Sequence, residues 1–382
     1  MTTPARTGAR AALERAAAAL GFDVVGVTSV APGPRDVRAL DAWLEAGHDA
    51  ALGYMRASSA ARRDGAALLA GARTLVTVAV NHHAAAPPFE AERRYGRVAR
   101  YAWGLDYHRV VPPRLERLAA TLPAMLGRPV RARVVVDAAP LLERAAAARA
   151  GTGFFGKNTM LILPRRGSWF LLGELLLDVE LEPDAPAAAP TCGTCRRCLP
   201  ACPTDAFAAP YVLDARRCLS YWTIEHEGPI PPPMRTSMGA WVFGCDVCQD
   251  VCPFNGFARE TAWPEFLPGA GVGPRLDLEA TLGLGDDATF RARFGTSPLR
   301  YAGRASVLRN VAIVAANVGA TACVRALARR AREDAAPVVR GHAASSLARL
   351  DPPRARGEAD RARAIDGDAF VRAEIERVLA NA

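Results

Sequence analysis

Eight of the nine cysteines in this 382-residue chain lie between Cys192 and Cys252. They fall in two runs. The first reads Cys192-x-x-Cys195-x-x-Cys198-x-x-x-Cys202-Pro203. The second reads Cys218, then Cys245-x-x-Cys248-x-x-x-Cys252-Pro253, the same pattern with its first gap enlarged by Leu219 to Gly244. Three thiolates on one tight loop can occupy three corners of a cubane cluster, and the fourth corner must come from elsewhere. The proline after the last cysteine turns the chain away. A segment this dense in ligands leaves little room for a conventional apolar core.

The spacing is that of bacterial two-cluster ferredoxins, in which the fourth cysteine of each run ligates the other cluster. On that crossing, cluster one takes Cys192, Cys195, Cys198 and Cys252, and cluster two takes Cys202, Cys218, Cys245 and Cys248. Two 4Fe–4S clusters then use every cysteine of the region. Paired C-x-x-C units also bind zinc, but a doubled triplet with a trailing Cys-Pro fits tetrahedral zinc poorly. Cys323, in an apolar helical segment, reads as a buried structural thiol.

Composition sets the class. With 50% hydrophobic and 23% charged residues the chain is globular, and its length implies two or three domains. No run of about 18 uncharged apolar residues offers a membrane span. The first twenty residues lack an export signal, so the expected compartment is the cytoplasm. Reduced thiols there favour metal over disulfides. The 48 Lys+Arg exceed the 39 Asp+Glu, a net charge of +9, which permits a nucleic-acid partner without demonstrating one.

The expected fold is multidomain α+β. Residues 1–181 alternate helical and strand patterns and form an N-terminal α/β domain. Strands are expected over Phe22–Val27, Thr74–Val80, Val130–Val136, Thr159–Leu163 and Trp169–Val179, and helices over Ala11–Leu20 and Leu141–Ala150. A Pro/Ala linker opens residues 182–262, the ferredoxin-like two-cluster domain. Residues 275–382 form an α-helical tail with weak repeats: Arg309, Arg340 and Arg372 recur in similar contexts, as in HEAT-like helix pairs. Two-thirds of the net charge lies from Arg300 onward.

Gly151-Thr-Gly153-Phe-Phe-Gly156-Lys157-Asn158-Thr159 satisfies two nucleotide motifs literally, yet a helix ends before it and a strand follows, the reverse of what those motifs require. Lys157 is the chain's only lysine, which suggests a place where a compact ammonium is needed. Asp137 ends an apolar strand just before a helix, where a carboxylate either does chemistry or caps the helix. Asp106-x-His108 begins like a cobalamin motif whose glycine is replaced by Val111, so a histidine ligand below cobalt is not supported.

These residues together resemble the epoxyqueuosine reductases, cobalamin-dependent iron–sulfur enzymes of tRNA queuosine biosynthesis. The resemblance rests on Gly53-Tyr54-Met55, on Ala99 through His108, on Val136-Asp137 with Leu142-Glu143-Arg144, and on Gly156-Lys157-Asn158-Thr159. To these are added both cysteine runs, Cys218-Leu219-Ser220-Tyr221 and Gly244 through Gln249. It implies a cobalamin-binding N-terminal domain of cobalamin-processing or nitroreductase-like fold, fed by two 4Fe–4S clusters. Asp137 matches the family's proton donor, with its pKa raised by burial. Cofactor contacts are implied at Arg100, Tyr101, His108, Asp137, Lys157, Asn158, Thr159, Ser220, Tyr221, Thr223 and Gln249. The basic tail is implied to grip tRNA phosphates, with Arg304, Arg309 and Arg340 as contacts. The reaction would reduce epoxyqueuosine to queuosine at the anticodon wobble position, in a cytoplasmic monomer supplied by a low-potential electron donor. A reductive dehalogenase and a ferredoxin-type carrier are the alternatives.

Overall fold

The computed structural model describes residues 8–86, 93–186, 191–363 and 365–381. Residues 187–190 of the Pro/Ala linker lie outside them. The elements that frame the site are strands β1 (Val24–Ser29), β2 (Thr74–Asn81), β3 (Tyr95–Val98), β4 (Ala132–Val135), β5 (Phe170–Leu177), β6 (Trp241–Phe243) and β7 (Arg275–Asp277). The helices are α1 (Gly8–Ala19), α2 (Tyr107–Leu126), α3 (Glu143–Arg149), α4 (Gly303–Asn317), α5 (Val324–Glu333), α6 (Pro337–Leu350), α7 (Pro352–Arg363) and α8 (Ala369–Asn381).

The chain forms two compact units that interleave in sequence. One comprises Met1–Ala84, Asp106–Arg216 and Val247–Leu267; the other comprises Ala85–Leu105, Arg217–Asp246 and Pro268–Ala382. The serial division at 182 and 262 therefore does not follow the units. The segment between Cys218 and Cys245 packs with the helical tail, because its strand β6 pairs with β3 and its carbonyls are held by α4.

The first unit is built on the sheet β1-β2-β5-β4, in which every pairing is antiparallel. The expected α/β character is corrected to α+β. Alternating helix and strand patterns suggest parallel strands with crossovers, but β2 and β5 run as long antiparallel neighbours, and antiparallel register is a property of pairing rather than of either strand. The expected strands are present with ends shifted by a few residues, except Thr159–Leu163, which shortens to a two-residue strand at Leu161–Ile162. β2 is buried along its whole length, so its sequence is an apolar run rather than an alternation.

In the second unit, β3 pairs in parallel with β6 and antiparallel with β7. α4 packs on α6 and α6 on α8, while α5 and α7 pack alongside. This layering accounts for the repeating apolar pattern of the tail. Cys323 is 1% exposed and burial pushes its thiol up to about 12, as expected of a core thiol.

The three tail arginines assigned to tRNA are corrected. Arg309 is wholly buried; its guanidinium donates to the carbonyls of His226, Gly228 and Trp222 at 2.6, 2.7 and 2.9 Å. Arg304 is 7% exposed and bonds both oxygens of Asp334. Arg340 bonds both oxygens of Asp366 and the Asp334 carbonyl. Each directs terminal guanidinium nitrogens to groups inside the fold, because arginine's planar fork suits convergent carbonyls and carboxylates. Arg309→Met is expected to leave three buried carbonyls unpaired and lower stability by roughly 3 kcal/mol, measured by thermal unfolding. A change confined to RNA affinity, with unfolding unaltered, would contradict the structural role.

Candidate active site

Asp106 caps α2: its carboxylate accepts from the His108 N–H at 3.1 Å. Fully buried, it also meets His108 Nδ1 at 2.9 Å. The Asp-x-His segment is thus a helix start that fixes an imidazole. On the other side of that ring, His108 Nε2 lies 3.5 Å from Asp137 Oδ2. The Tyr107 hydroxyl donates to the same oxygen at 2.5 Å.

Asp137 sits just past β4 in the left-handed region, φ 55°, where a non-glycine residue costs on the order of 1–3 kcal/mol. Its backbone N–H donates to Glu143 Oε1 at 2.7 Å, which holds the corner. The residue before α3 is Leu142, so Asp137 does not cap that helix. Its carboxylate is 60% exposed at the side chain and directed to Tyr107 and His108.

The protonation state differs from the sequence expectation. Asp137 was expected to be raised by burial. The His108 hydrogen bond instead holds its carboxyl below the ordinary range, outweighing partial desolvation and aided by the Tyr107 hydroxyl. Burial opposes protonation of His108, but hydrogen bonds to Asp106 and Asp137 overcome it and raise His108 to about 9. The proton therefore rests on the imidazole and the charge on the carboxylate. His108 protonation contributes stability that is full below its ordinary 6.5 and is lost as pH rises through about 9. Both ring nitrogens face carboxylates, so this histidine is occupied by proton chemistry.

The glycine loop docks on the cysteine runs. Lys157 Nζ donates to the carbonyls of Gly193 and Cys195 at 2.7 and 2.9 Å, and its backbone N–H reaches Cys192 Sγ at 3.4 Å. Asn158 is 3% exposed and donates to the Cys248 carbonyl. In this structure both residues support the cluster loops. The Lys157 ammonium, with three donors, thus holds two converging carbonyls of the first cysteine run. Thr159, at φ 65°, accepts from Arg144 through its carbonyl.

Cys192, Cys195, Cys198, Cys202, Cys248 and Cys252 belong to the first unit, Cys218 and Cys245 to the second. Burial raises the thiols of Cys198 and Cys252, and each also feels Cys192 and Cys195. These four form one neighbourhood, the quartet assigned to cluster one. Among the described residues no three His, Cys, Asp or Glu side chains are close enough to hold a single metal ion. Soft thiolates spread over two loops suit iron–sulfur clusters.

Three further residues with an implied cofactor contact have partners within the fold. Thr223 is wholly buried, donating to the Leu219 carbonyl and accepting from the Gly244 N–H. It ties the residues flanking Cys218 and Cys245. Gln249, 9% exposed, accepts from the Ser168 hydroxyl. Arg100, also 9% exposed, lies over the Trp103 ring, and its N–H donates to Asp246. Tyr101 and Ser220 are partly exposed, and Tyr221 is buried against Trp222. Sequence reasoning named Asp106, Tyr107 and Glu143 only within motifs, without a role, and did not name Glu174. The signals available were a helix-start Asp-x-His and a lone acid in the apolar run Leu171 to Leu177.

Known proteins match at every scale. Residues 191–255 match the 4Fe-4S double cluster binding domain, and residues 62–138 match the family described as Epoxyqueuosine reductase QueG, DUF1730. The chain is 39% identical over 358 residues to an epoxyqueuosine reductase of Xanthomonas campestris pv. campestris, covering 91% of this chain and 98% of that one. A solved epoxyqueuosine reductase with a tRNA-Tyr epoxyqueuosine-modified stem loop is 29% identical, with TM-score 0.88, covering 97% of this chain and 98% of the other. The Bacillus subtilis enzyme, solved with its catalytic aspartate loop swung out of the active site, is 28% identical with TM-score 0.87 and the same coverage. With an antiparallel core, a carboxylate–imidazole corner and cysteines for two 4Fe–4S clusters, this chain belongs to the epoxyqueuosine reductase family.

Proposed function

We propose that this protein reduces epoxyqueuosine to queuosine in a tRNA anticodon, with the Asp137–His108 pair as the proton donor. The observation that carries this reading is the Asp137 corner: an exposed carboxylate, fixed in a left-handed turn, 3.5 Å from the His108 imidazole and bonded by the Tyr107 hydroxyl. Opening an epoxide leaves an alkoxide that needs a proton, and a positioned acid pair supplies it. The reaction consumes two electrons and two protons and releases water.

Electrons enter through two 4Fe–4S clusters with the crossed ligand sets given above. Lys157 positions the first cluster loop, and its N–H toward Cys192 Sγ is the kind of bond that tunes a cluster potential. Cobalamin, when bound, supplies a low-valent cobalt able to pass electrons to carbon. His108 is committed to Asp106 and Asp137, so it would serve such a group by holding the Asp137 carboxylate. Of the implied contacts in the first unit, the partly exposed Thr159 would remain for that group.

For tRNA, the exposed Arg325, Arg356 and Arg372 replace the buried arginines as phosphate contacts, through a salt-sensitive attraction. The helix pairs of the tail are read as HEAT-like repeats. The test is anaerobic reconstitution with iron, sulfide and cobalamin, then incubation with an epoxyqueuosine stem loop and a reductant. Mass spectrometry is expected to show loss of one oxygen only with clusters and corrinoid present. Reduction of bound corrinoid without oxygen loss would rule out this substrate.

A further inference from the structure

Glu174 is an anomaly in the first unit. It lies mid-strand in β5, among leucines, and is 0% exposed. Both carboxyl oxygens are buried and accept no hydrogen bond from any donor among the described residues. In register it sits across from Thr77 of β2 and Val135 of β4. Thr77 Oγ1 is likewise buried without a partner.

The charged and titratable groups around it are few. From α3 come Glu143 and Arg144; the turn after β4 brings Asp137, which in turn contacts Tyr107 and His108 of α2. Arg144 directs a guanidinium nitrogen to the Thr159 carbonyl at 2.6 Å. Arg62, the other cation near Glu143, is spent on Ser58 Oγ and the Leu141 carbonyl. α3 packs against β5, which brings Glu143, the first residue of that helix, to Glu174, so the titratable neighbour of Glu174 is another carboxyl.

Two ionised carboxylates are acceptors only and cannot bond each other. A fully dehydrated, unpaired carboxylate is also strongly disfavoured. Both problems vanish if the pair holds one proton, as in other close carboxyl pairs. Burial and the Asp137 charge push Glu143 up to about 7, and burial with Glu143 holds Glu174 well above the carboxylate range. The same Glu143 accepts the Asp137 N–H, so the stored proton lies at the base of the catalytic corner.

We propose that Glu143 and Glu174 are a proton-sharing carboxyl pair that supplies the second proton of the reaction through the Asp137 corner. The inference rests on the proposed epoxide reduction. In that step both C–O bonds of the epoxide break, a C=C bond forms and the oxygen leaves as water. Two electrons come from a low-potential one-electron donor, one proton from the Asp137–His108 pair and one from Glu143–Glu174, which is reloaded from solvent.

The test uses the reconstituted holoenzyme with Glu174→Gln and Glu143→Gln. Glutamine keeps an acceptor for the Asp137 N–H in the second variant, so that one remains informative if the first does not fold. Infrared difference spectra of the wild type at neutral pH are expected to show a protonated carboxyl band that shifts in heavy water and changes frequency or intensity in either variant. Wild-type turnover is expected to fall as pH rises through the pair's titration near neutrality. The variants are expected to be slower by about tenfold or more, without that falling limb, while keeping iron content and corrinoid binding. Absence of the band in the wild type, or variant pH profiles that superimpose on the wild type, would overturn the proposal. A wild type that carries the band but leaves epoxyqueuosine unreduced refutes the substrate reading instead.

Discussion

Asp137→Asn loses turnover by roughly 10²- to 10⁴-fold, the usual worth of a positioned acid–base group, while both clusters and corrinoid remain bound. The amide can still accept from Tyr107, so the turn survives and the loss is chemical. Removing the negative charge also withdraws one of the two carboxylates that raise His108 to about 9, so the His108 titration moves down toward its ordinary value. In the wild type the donor is loaded below that pH and empties as pH rises through it. Activity of Asp137→Asn within twofold of wild type, or an unmoved His108 titration, would remove Asp137 from the mechanism. NMR of the histidine ring and single-turnover kinetics read the two outcomes separately.

Cys252→Ala is expected to abolish electron delivery and roughly halve the iron content, since one of the two clusters loses a corner. The informative comparison is among variants. The crossed assignment groups Cys252 with Cys192, Cys195 and Cys198, and the structure places these four in one electrostatic neighbourhood. Cys252→Ala and Cys198→Ala should therefore lose the same cluster and leave matching electron paramagnetic resonance spectra. Cys202→Ala should leave the other spectrum. If Cys252→Ala instead matches Cys248→Ala, its neighbour in sequence, the crossing is wrong.

The clusters were legible because ligand spacing is local. Three cysteines at x2 intervals make one loop whatever surrounds them, and the doubled run needed no knowledge of the fold. Lys157 was legible as unusual but not as to purpose. Its partners are carbonyls of Gly193 and Cys195, and backbone carbonyls leave no mark in sequence. The arginines misled for a related reason. A recurrent arginine in a basic tail looks like phosphate chemistry, whereas Arg309 and Arg340 hold carbonyls and a carboxylate within the fold.

Asp137 shows the same division. Its position after an apolar strand was readable, but its protonation was not, because the deciding groups are Tyr107 and His108, distant in sequence. Burial as a general cause predicted an upward shift; a specific histidinium reversed it. Glu174 was visible as one acid among leucines, yet only register across β5 and the approach of α3 showed that a second carboxyl stands beside it.

By itself the sequence determined the cysteine chemistry, the apolar runs that become strands, and membership of a family with two 4Fe–4S clusters, because each is a matter of residue type at short spacing. Only the tertiary structure decided that the core sheet is antiparallel, that the two compact units interleave, that Arg309 and Arg304 are buried, and which carboxyl groups stand near one another. Those depend on contacts between distant segments, where desolvation and neighbouring charge set the state of a group more strongly than its identity.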